Sequence, residues 1–412
     1  MDRYFNVKST EEVLTILGQF PRVETEMVRL EEAFHRIVGQ DVISPEELPA
    51  FDRSSMDGYA VRARDTFGAT ESLPALLEVI GEVAMGKAPE VKLESGQAVK
   101  ISTGGMLPHG ADAVVMVEYC HALDPTTIEV TRSVSPLENV IETGDDIKKG
   151  QTVVKKGQRL RAQDLGLLAG LGINEITAYV RPRVAIISTG DEVVGPESRP
   201  ELGQVRDINR FTLSAFCHKM GAEPSYFGLS RDDFDDMRVK VERGLKWGHT
   251  VWISGGSSVG YRDLTLRVLE SFEGFELLVH GVSVSPGKPT IIGRVSNKAV
   301  VGLPGHVSSA LVVAHVFMEK LLITLSGASS SPWQWGDIIE ARITRNVESS
   351  PGRDDYIRVR LVEGPNGEIM AEPLFGKSGL ISPLVEADGL VCIPRNLEGL
   401  YEGDKVTVRL FT

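Results

Sequence analysis

Short polar segments follow strand-like apolar runs in the second half of the chain, and their residue types suit an anionic ligand. The segment SGGSSVGYRD at 254–263 comes directly after an apolar run, and LPGHVSS at 303–309 follows another. Glycine-rich turns that lead into helices expose backbone N–H groups, which bind phosphates and other anions. The residues that this pattern predicts to hold the anion are Gly255, Gly256, Gly305 and the point charge of Lys288.

Acidic residues occupy the same strand ends. Glu192 follows the apolar run at 184–187, Asp232 follows the next predicted strand, and Asp263 ends the glycine-rich segment. Carboxylates do not bind phosphate directly, but a hard cation such as Mg²⁺ bridges carboxylate and phosphate oxygens. The pattern therefore predicts a Mg²⁺ and phosphate site with these three carboxylates as ligands. At Asp263, capping of a helix predicted at 264–271 explains the carboxylate equally well.

Alternating strand and helix patterns between 181 and 328 must position these residues. Predicted strands lie at 184–187, 224–229, 250–253, 277–279, 290–295 and 299–301, and predicted helices at 210–220, 234–246, 264–271 and 306–325. This alternation is typical of a doubly wound, mostly parallel sheet, in which ligands bind outside the carboxyl ends of the strands. The polar segments should therefore meet at one rim. The sequence contains neither GxxxxGK[ST] nor GxGxxG, which argues against a P-loop NTPase and a standard dinucleotide site.

The rest of the chain predicts helical and β segments around this α/β part. Ser9 and Glu12 have the spacing of a capping box at the start of a helix, and helical periodicity predicts a second helix over 24–38. Short β-like runs separated by Gly and Pro predict a small β domain from about 50 to 145, and a helical pattern returns at 158–179. Alternating runs beyond the α/β part predict a small C-terminal β domain.

Composition limits the classes of partner. The 412 residues carry 44 Lys+Arg against 57 Asp+Glu, a net charge of −13, which argues against general nucleic-acid or anionic-membrane binding. The N-terminus lacks the apolar region of a signal peptide, and the apolar runs are short for a membrane span. Three scattered cysteines predict a reducing, cytoplasmic location without a thiolate metal site.

Several motifs occur together along the whole chain. In order they are MDGYA, STGG with LPHGADAVVMVE, ISTGDE, DINR, SGGSSVG, SPGKPT, GLPGH and FGKSG. Taken together they resemble the molybdopterin molybdenumtransferase family, which includes the E domain of gephyrin. Each motif alone is a weak signal, but the ordered set is specific.

The resemblance implies a multidomain α/β protein and a homodimer. Its four parts would be an elongated N-terminal domain of helical and extended segments (1–44 and 147–180), an inserted small β domain with MDGYA (45–146), a doubly wound molybdopterin-binding α/β domain (181–328) and a C-terminal β-barrel-like domain (329–412). Transient contact with the molybdopterin adenylyltransferase is also implied.

The implied reaction inserts molybdate into adenylylated molybdopterin, with Mg²⁺ and release of AMP. The matching catalytic positions are Asp57, Thr103, Glu192, Asp232 and Asp263, of which the last three are also assigned to the metal. The matching substrate-binding positions are Thr189, Gly190, Asp207, Asn209, Gly255, Gly256, Ser257, Lys288, Pro304, Gly305, Ser309, Arg353 and Ser378. Of these, Lys288, Ser309, Arg353 and Ser378 fall on positions implicated in molybdate binding.

Two other functions fit parts of the sequence. The α/β domain alone also resembles a molybdopterin adenylyltransferase, and a non-catalytic scaffold paralogue would keep the fold. The MDGYA region and the C-terminal β domain favour insertion, because an adenylyltransferase needs neither. The chain departs from the family at Ser285, where Lys or Gln is frequent, and at Val307, where a second proline is usual. These departures leave the choice between molybdate and tungstate open.

Overall fold

A computed structural model of the chain describes residues 7–255, 259–329, 338–365 and 367–411, with the side chains of 259–263 left out. The chain forms two compact units. The first unit comprises Met1–Gln40, Lys156–Arg161 and Glu175–Thr412, and the second comprises Asp41–Lys155 and Ala162–Asn174. The finer division into four domains stays a prediction.

The second unit is built on a six-stranded sheet. In spatial order its strands are Ala113–Met116, Gly58–Val61, Gln97–Ile101, Ala75–Glu82, Thr127–Val130 and Cys120–Asp124. Neighbouring residues such as Ala60 and Val61 belong to different apolar clusters, because successive side chains of a strand point to opposite faces. The predicted β-like runs are thus confirmed. The other elements of the unit are the helix Ala162–Gly170 and the short strands Val42–Ile43, Arg53–Ser54, Val140–Ile141 and Thr152–Val154.

The first unit opens with the helix Thr10–Leu17, whose predicted capping box is present. The helix predicted over 24–38 is wrong. Its residues form the strand Thr25–Arg29 and the 3₁₀-helix Leu30–Glu32, and the strand pairs antiparallel with Glu175–Tyr179. A distant partner strand therefore overrides the local helical spacing. The helical pattern at 158–179 is confirmed only over its middle part.

A second six-stranded sheet forms the α/β part of the first unit. Its strands in spatial order are Glu223–Ser230, Arg183–Thr189, Thr250–Gly255, Lys298–Leu303, Ile291–Val295 and Glu276–His280. The first four run parallel, and Ile291–Val295 is antiparallel to both of its neighbours, Lys298–Leu303 and Glu276–His280. The predicted strands and doubly wound fold are confirmed. The helices between the strands are Asn209–Lys219, Phe234–Trp247 and Val259–Glu270, and the short strands Val193–Val194 and Val205–Arg206 form a separate pair.

Apolar side chains cover both faces of this sheet. Val184 and Ile186 pack into one core with Trp252 and Phe317, all fully buried. Ala185, which lies between them in the strand, and Ile187 pack into a second core on the opposite face. Burial on both faces explains why these strands are continuous apolar runs without polar alternation.

The long helix predicted at 306–325 is present but irregular. It consists of the α-helix Val307–Val313, a π-helical turn Ala314–Met318 and the α-helix Glu319–Ser326. The 20 residues Val307–Ser326 are long and apolar enough to cross a membrane, but 72% of the most apolar 18-residue window is buried inside the protein. The helix therefore serves as the core helix of the α/β fold.

His315 lies in the π-helical turn and predicts a pH dependence of stability. Burial, with smaller contributions from Lys219 and Arg409, lowers the pKa of His315 to about 3. The unfolded chain binds this proton near pH 6.5, so the stabilising difference is present above pH 6.5 and is lost as pH falls towards 3. We expect the free energy of unfolding to drop by about 1.4 kcal/mol per pH unit within that window.

Chemical denaturation between pH 7 and pH 4 tests this expectation. His315 packs between Phe216 and Phe411, so a phenylalanine suits its place. For His315→Phe, the free energy of unfolding should depend less on pH than for the unchanged protein. His218→Gln, at an exposed position of the neighbouring helix, serves as the control. Parallel profiles for the unchanged protein and His315→Phe would contradict the assignment.

The C-terminal part of the first unit is a closed β-barrel. Its strands are Ile338–Ile343, Asp354–Glu363, Ile369–Pro373, Gly389–Ile393 and Lys405–Leu410, with the short helix Ser382–Val385 and the short pair Val347–Glu348 and Gly399–Leu400. Closure follows because Asp354–Glu363 pairs with both Ile369–Pro373 and Gly389–Ile393. The two-residue strand Val284–Ser285 leaves the α/β part and pairs parallel with the start of Asp354–Glu363. This pairing fixes the SPGKPT loop beside the barrel.

Candidate functional site

A pocket of about 400 Å³ lies at the carboxyl ends of the parallel strands, and we call it the sheet-end pocket. Six residues predicted from the sequence line it, namely Thr189, Glu192, Asp207, Asn209, Gly255 and Gly305. Gly255 is required here because a Cβ atom at this position would lie 2.2 Å from the carbonyl oxygen of Thr189. The predicted rim therefore exists, and its glycine permits close approach of two neighbouring strands.

Asn209 connects three segments of the sheet-end pocket. Its Nδ2 donates to Ser254 Oγ at 2.7 Å and to the carbonyl oxygen of Gly305 at 2.8 Å. Asn209 is 8% exposed, and its Oδ1 has no hydrogen-bond partner among the described residues. The side chain thus holds two loops together and leaves one buried acceptor available.

Asp207 faces a tyrosine that the sequence analysis missed. The Tyr226 hydroxyl donates to Asp207 Oδ2 at 3.4 Å, and the backbone N–H of Arg210 donates to Oδ1 at 3.1 Å. Burial raises the pKa of Tyr226, and the Asp207 carboxylate adds to the shift, so the hydroxyl stays a donor. The Arg210 guanidinium lies 4.4 Å from the centre of the Tyr226 ring. No motif marked Tyr226, because it lies inside a predicted strand.

Two of the three acids predicted for the metal, Glu192 and Asp232, lie close to each other beside this pocket. The backbone N–H of Asp232 donates to Asp191 Oδ1 at 3.2 Å, and Gly190 N–H donates to the carbonyl oxygen of Ser230 at 3.2 Å. Burial raises the pKa of the Asp232 carboxyl, and the charges of Asp191 and Glu192 raise it further. These carboxylates therefore repel one another, a condition that a bound cation would relieve.

The acids whose side chains the structure describes do not form a complete metal cage by themselves. In the part of the chain that the structure describes, no group of three or more His, Cys, Asp or Glu side chains is placed to hold a metal ion. Mg²⁺ in phosphate-transfer sites is usually bound through one or two carboxylates together with substrate phosphates and water. The donor set around Asp232 and Glu192 fits that mode of binding.

The glycine-rich segment at 254–263 is only partly described. Gly256 and Ser257 lie outside the described residues, as does the side chain of Asp263. The following helix begins at Val259, so Asp263 lies inside the helix and the predicted cap for a helix at 264–271 is wrong. Local sequence placed the helix start after the last glycine, whereas the helix already includes Gly260.

A second pocket of about 460 Å³ lies between the SPGKPT loop and the barrel, and we call it the barrel-side pocket. Five predicted residues line it, namely Lys288, Pro304, Ser309, Arg353 and Ser378. They come from segments far apart in the sequence. The pairing of Val284–Ser285 with the barrel strand brings Lys288 close to Arg353 and Ser378. All four residues assigned to molybdate thus line one pocket.

His306 links the two pockets and was not among the predicted ligands. It lines both pockets, and its Nδ1 lies 2.7 Å from Ser378 Oγ. The backbone N–H of Ser308 donates to the carbonyl oxygen of Ser378 at 3.1 Å. The position of His306 directly before a helix indicates that its backbone can bind an anion, but it does not indicate a role for its side chain.

Arg353 has a buried acidic partner. Its Nε lies 3.0 Å from Asp355 Oδ1, and Asp355 is 5% exposed. Ser349 Oγ donates to the other oxygen of this carboxylate at 2.6 Å. The ion pair fixes the Arg353 side chain at the edge of the barrel-side pocket.

Asp57 and Thr103 lie in the second unit and contact each other. Asp57 Oδ1 accepts hydrogen bonds from Thr103 N–H at 2.7 Å and from Thr103 Oγ1 at 3.1 Å. At the neighbouring Gly58, a Cβ atom would lie 1.9 Å from the carbonyl oxygen of Val115, which explains the glycine of MDGYA. The two predicted residues therefore form one structural pair.

Comparison with known proteins gives full-length matches. The chain is 34% identical to the molybdopterin molybdenumtransferase of Haemophilus influenzae, over 96% of each chain, and 31% identical to that of Bacillus subtilis, over 94% of this chain and 90% of the relative. Among solved structures, a MoeA molybdopterin biosynthesis protein of Pyrococcus horikoshii is 38% identical. Its TM-score is 0.85, and the match covers 99% of this chain and 100% of that one.

The fold and the two pockets define a multidomain enzyme of the molybdopterin-binding type. Family models match the MoeA N-terminal region (domain I and II) at residues 8–172, a probable molybdopterin binding domain at 185–324, and the MoeA C-terminal region (domain IV) at 340–411. The chain belongs to the molybdopterin molybdenumtransferase (MoeA) family, and it is an enzyme of molybdenum cofactor biosynthesis.

Proposed function

We propose that this enzyme inserts molybdate into adenylylated molybdopterin in a Mg²⁺-dependent reaction that releases AMP. The observation that carries the proposal is the arrangement of two pockets that share His306. The sheet-end pocket offers backbone and carboxylate groups, and the barrel-side pocket offers Lys288 and Arg353. Two ligands of different chemistry can thus bind side by side.

The sheet-end pocket suits the phosphate-containing part of the substrate. Gly255 and Gly305 line this pocket, and Asn209 holds the loop that contains Gly305. The barrel-side pocket suits a tetrahedral oxyanion, because Lys288, Arg353 and Ser378 approach from different segments. Charged donors make the stronger hydrogen bonds to such anions.

Asp232 and Glu192 would hold Mg²⁺, together with Asp263 as the sequence predicts. When bound, Mg²⁺ neutralises phosphate charge during cleavage of the bond to AMP. Burial and the like charges of Asp191 and Glu192 raise the pKa of Asp232, and this supports the assignment, because carboxylates without a cationic partner among the described residues favour a bound cation.

An assay with defined substrates tests the proposal. The full chain is incubated with adenylylated molybdopterin, Mg²⁺ and molybdate, and AMP and active cofactor are measured over time. We expect both products, with no AMP when Mg²⁺ is removed by a chelator. An adenylyltransferase would instead consume ATP and molybdopterin, and a scaffold protein would release no AMP. The family matches on both sides of the α/β region favour insertion over adenylyl transfer.

We further propose a cytoplasmic homodimer that receives its substrate through transient contact with the molybdopterin adenylyltransferase. Complementation of subunits tests the dimer. Asp57→Ala and Asp232→Ala should each be inactive alone, but mixing them by joint refolding should restore part of the activity if each site uses both subunits. Light scattering provides the oligomeric state of every sample. An active monomer, or mixed dimers without recovered activity, would contradict a shared site.

A further inference from the structure

Arg358 is a buried cation that the proposed reaction does not yet use. It lies on the barrel strand Asp354–Glu363 and is 8% exposed. Its Nη2 donates to the carbonyl oxygen of Gly376 at 2.8 Å, and its Nη1 donates to Ser308 Oγ at 3.3 Å. Both partners are uncharged.

Two other arginines lie on or directly before this strand, and both have acidic partners. Arg353 pairs with Asp355, and Arg360 pairs with Glu372, but no carboxylate of the described residues lies within ion-pair distance of Arg358. Burial lowers the pKa of Arg358, as expected for a cation removed from water. A buried charge without a counter-ion is costly, so such a group is retained where an anion can compensate it.

The two groups that Arg358 contacts belong to the loops of the barrel-side pocket. Ser308 precedes Ser309, and Gly376 lies two residues before Ser378. The Ser308 N–H also donates to the carbonyl oxygen of Ser378 at 3.1 Å, so the two loops are joined directly as well. Arg358 itself does not line the pocket. Its guanidinium therefore lies behind the loops that present the proposed oxyanion ligands.

We propose that Arg358 is a positioning residue of the barrel-side pocket, which holds the two ligand loops together and supplies uncompensated positive charge to a bound tetrahedral dianion. The proposal rests on the proposed function, because that function places the dianion in this pocket. The effect is separate from the hydrogen bonds of Lys288 and Ser378, which line the pocket.

Titration calorimetry of the full chain with sodium molybdate tests the charge and the positioning together. Arg358→Gln removes the charge, and we expect the molybdate concentration for half-saturation to rise about tenfold to a hundredfold. Arg358→Lys keeps the charge but cannot bridge both loops, so its affinity should be intermediate. Arg360→Gln, at an exposed arginine of the same strand that pairs with Glu372, is the matched control and should leave the affinity unchanged.

Perrhenate is a tetrahedral monoanion, so its binding distinguishes two effects of Arg358→Gln, namely the lost positive charge and the displacement of the two loops. Coulomb energy is proportional to ligand charge, so the loss caused by Arg358→Gln should be roughly half as large for perrhenate on a logarithmic scale. AMP, the probe for the sheet-end pocket, should bind equally to all variants. If Arg358→Gln loses equal affinity for molybdate and for perrhenate, the role of the charge is overturned. If Arg358→Gln binds molybdate as tightly as Arg360→Gln does, the whole inference is overturned.

Molybdate binding by the unchanged protein shows whether a negative result contradicts the proposed function or only this inference. If the unchanged protein shows no saturable molybdate binding, the proposed function fails and the inference with it. If the unchanged protein binds molybdate and Arg358→Gln binds equally well, only the inference fails. Melting temperatures establish that each variant is folded, and Arg358→Met, which also removes the charge, takes the place of Arg358→Gln if the latter does not fold.

Discussion

Asp232→Asn should reduce the rate of AMP release on the order of a hundredfold, with little change in melting temperature. The Asp232 carboxyl lies near Asp191 and Glu192, and burial together with their like charges raises its pKa. An amide keeps the size of the side chain but removes one negative charge from the proposed Mg²⁺ site. Because no described cation pairs with Asp232, its loss should not weaken the folded state. AMP is measured by chromatography at saturating Mg²⁺ and molybdate.

The adjacent Asp233 provides a matched control. Its side chain caps the helix Phe234–Trp247 by accepting the N–H of Asp236 at 2.8 Å. Asparagine caps helices about as well as aspartate, so Asp233→Asn should change neither activity nor stability. Equal rates for the two variants would exclude Asp232 from the metal site.

Ser378→Ala should raise the molybdate concentration for half-maximal cofactor formation about tenfold to a hundredfold. The Ser378 hydroxyl lies in the barrel-side pocket, 2.7 Å from His306 Nδ1. If the His306 Nδ1–H donates to Ser378 Oγ, the serine proton is free to bind an oxyanion. Alanine removes this donor without adding bulk. The measurement is a molybdate titration at saturating adenylylated molybdopterin.

Two further variants show whether this effect is local. Ser382→Ala, at an exposed position of the short helix that follows, should leave the molybdate titration unchanged. Arg353→Ala should weaken molybdate binding and also lower stability, because buried Asp355 loses its ion-pair partner. An unshifted midpoint in both Ser378→Ala and Arg353→Ala would leave Lys288 and Ser309 to hold the oxyanion alone.

Local signals predicted much of the fold, and distant pairing explains the errors. The capping box of Ser9 and Glu12 is decided within four residues, so sequence predicted it correctly. The region 24–38 was predicted as a helix because its strand depends on Glu175–Tyr179, far away in the chain. Periodicity within a window cannot include such a partner.

The candidate site shows the same contrast. Topology places the ends of parallel strands at one rim, which is why Thr189 and Gly255 could be predicted to lie together. Tyr226, which faces Asp207, carries no local signal for its role, and the position of His306 before a helix indicates only a role for its backbone. Their importance depends on which loop packs opposite them, and that is decided by tertiary structure.

The short strand Val284–Ser285 has a consequence for how metal selectivity can change. It belongs by sequence to the α/β part but is hydrogen-bonded into the barrel, so the barrel determines where the following Lys288 is held. The sheet-end pocket is formed mainly by strand ends that do not take part in this pairing. Under the proposed function, exchange of barrels between relatives would therefore act mainly on the preference between molybdate and tungstate. Ion choice would be inherited mostly with the barrel, and nucleotide choice mostly with the strand ends.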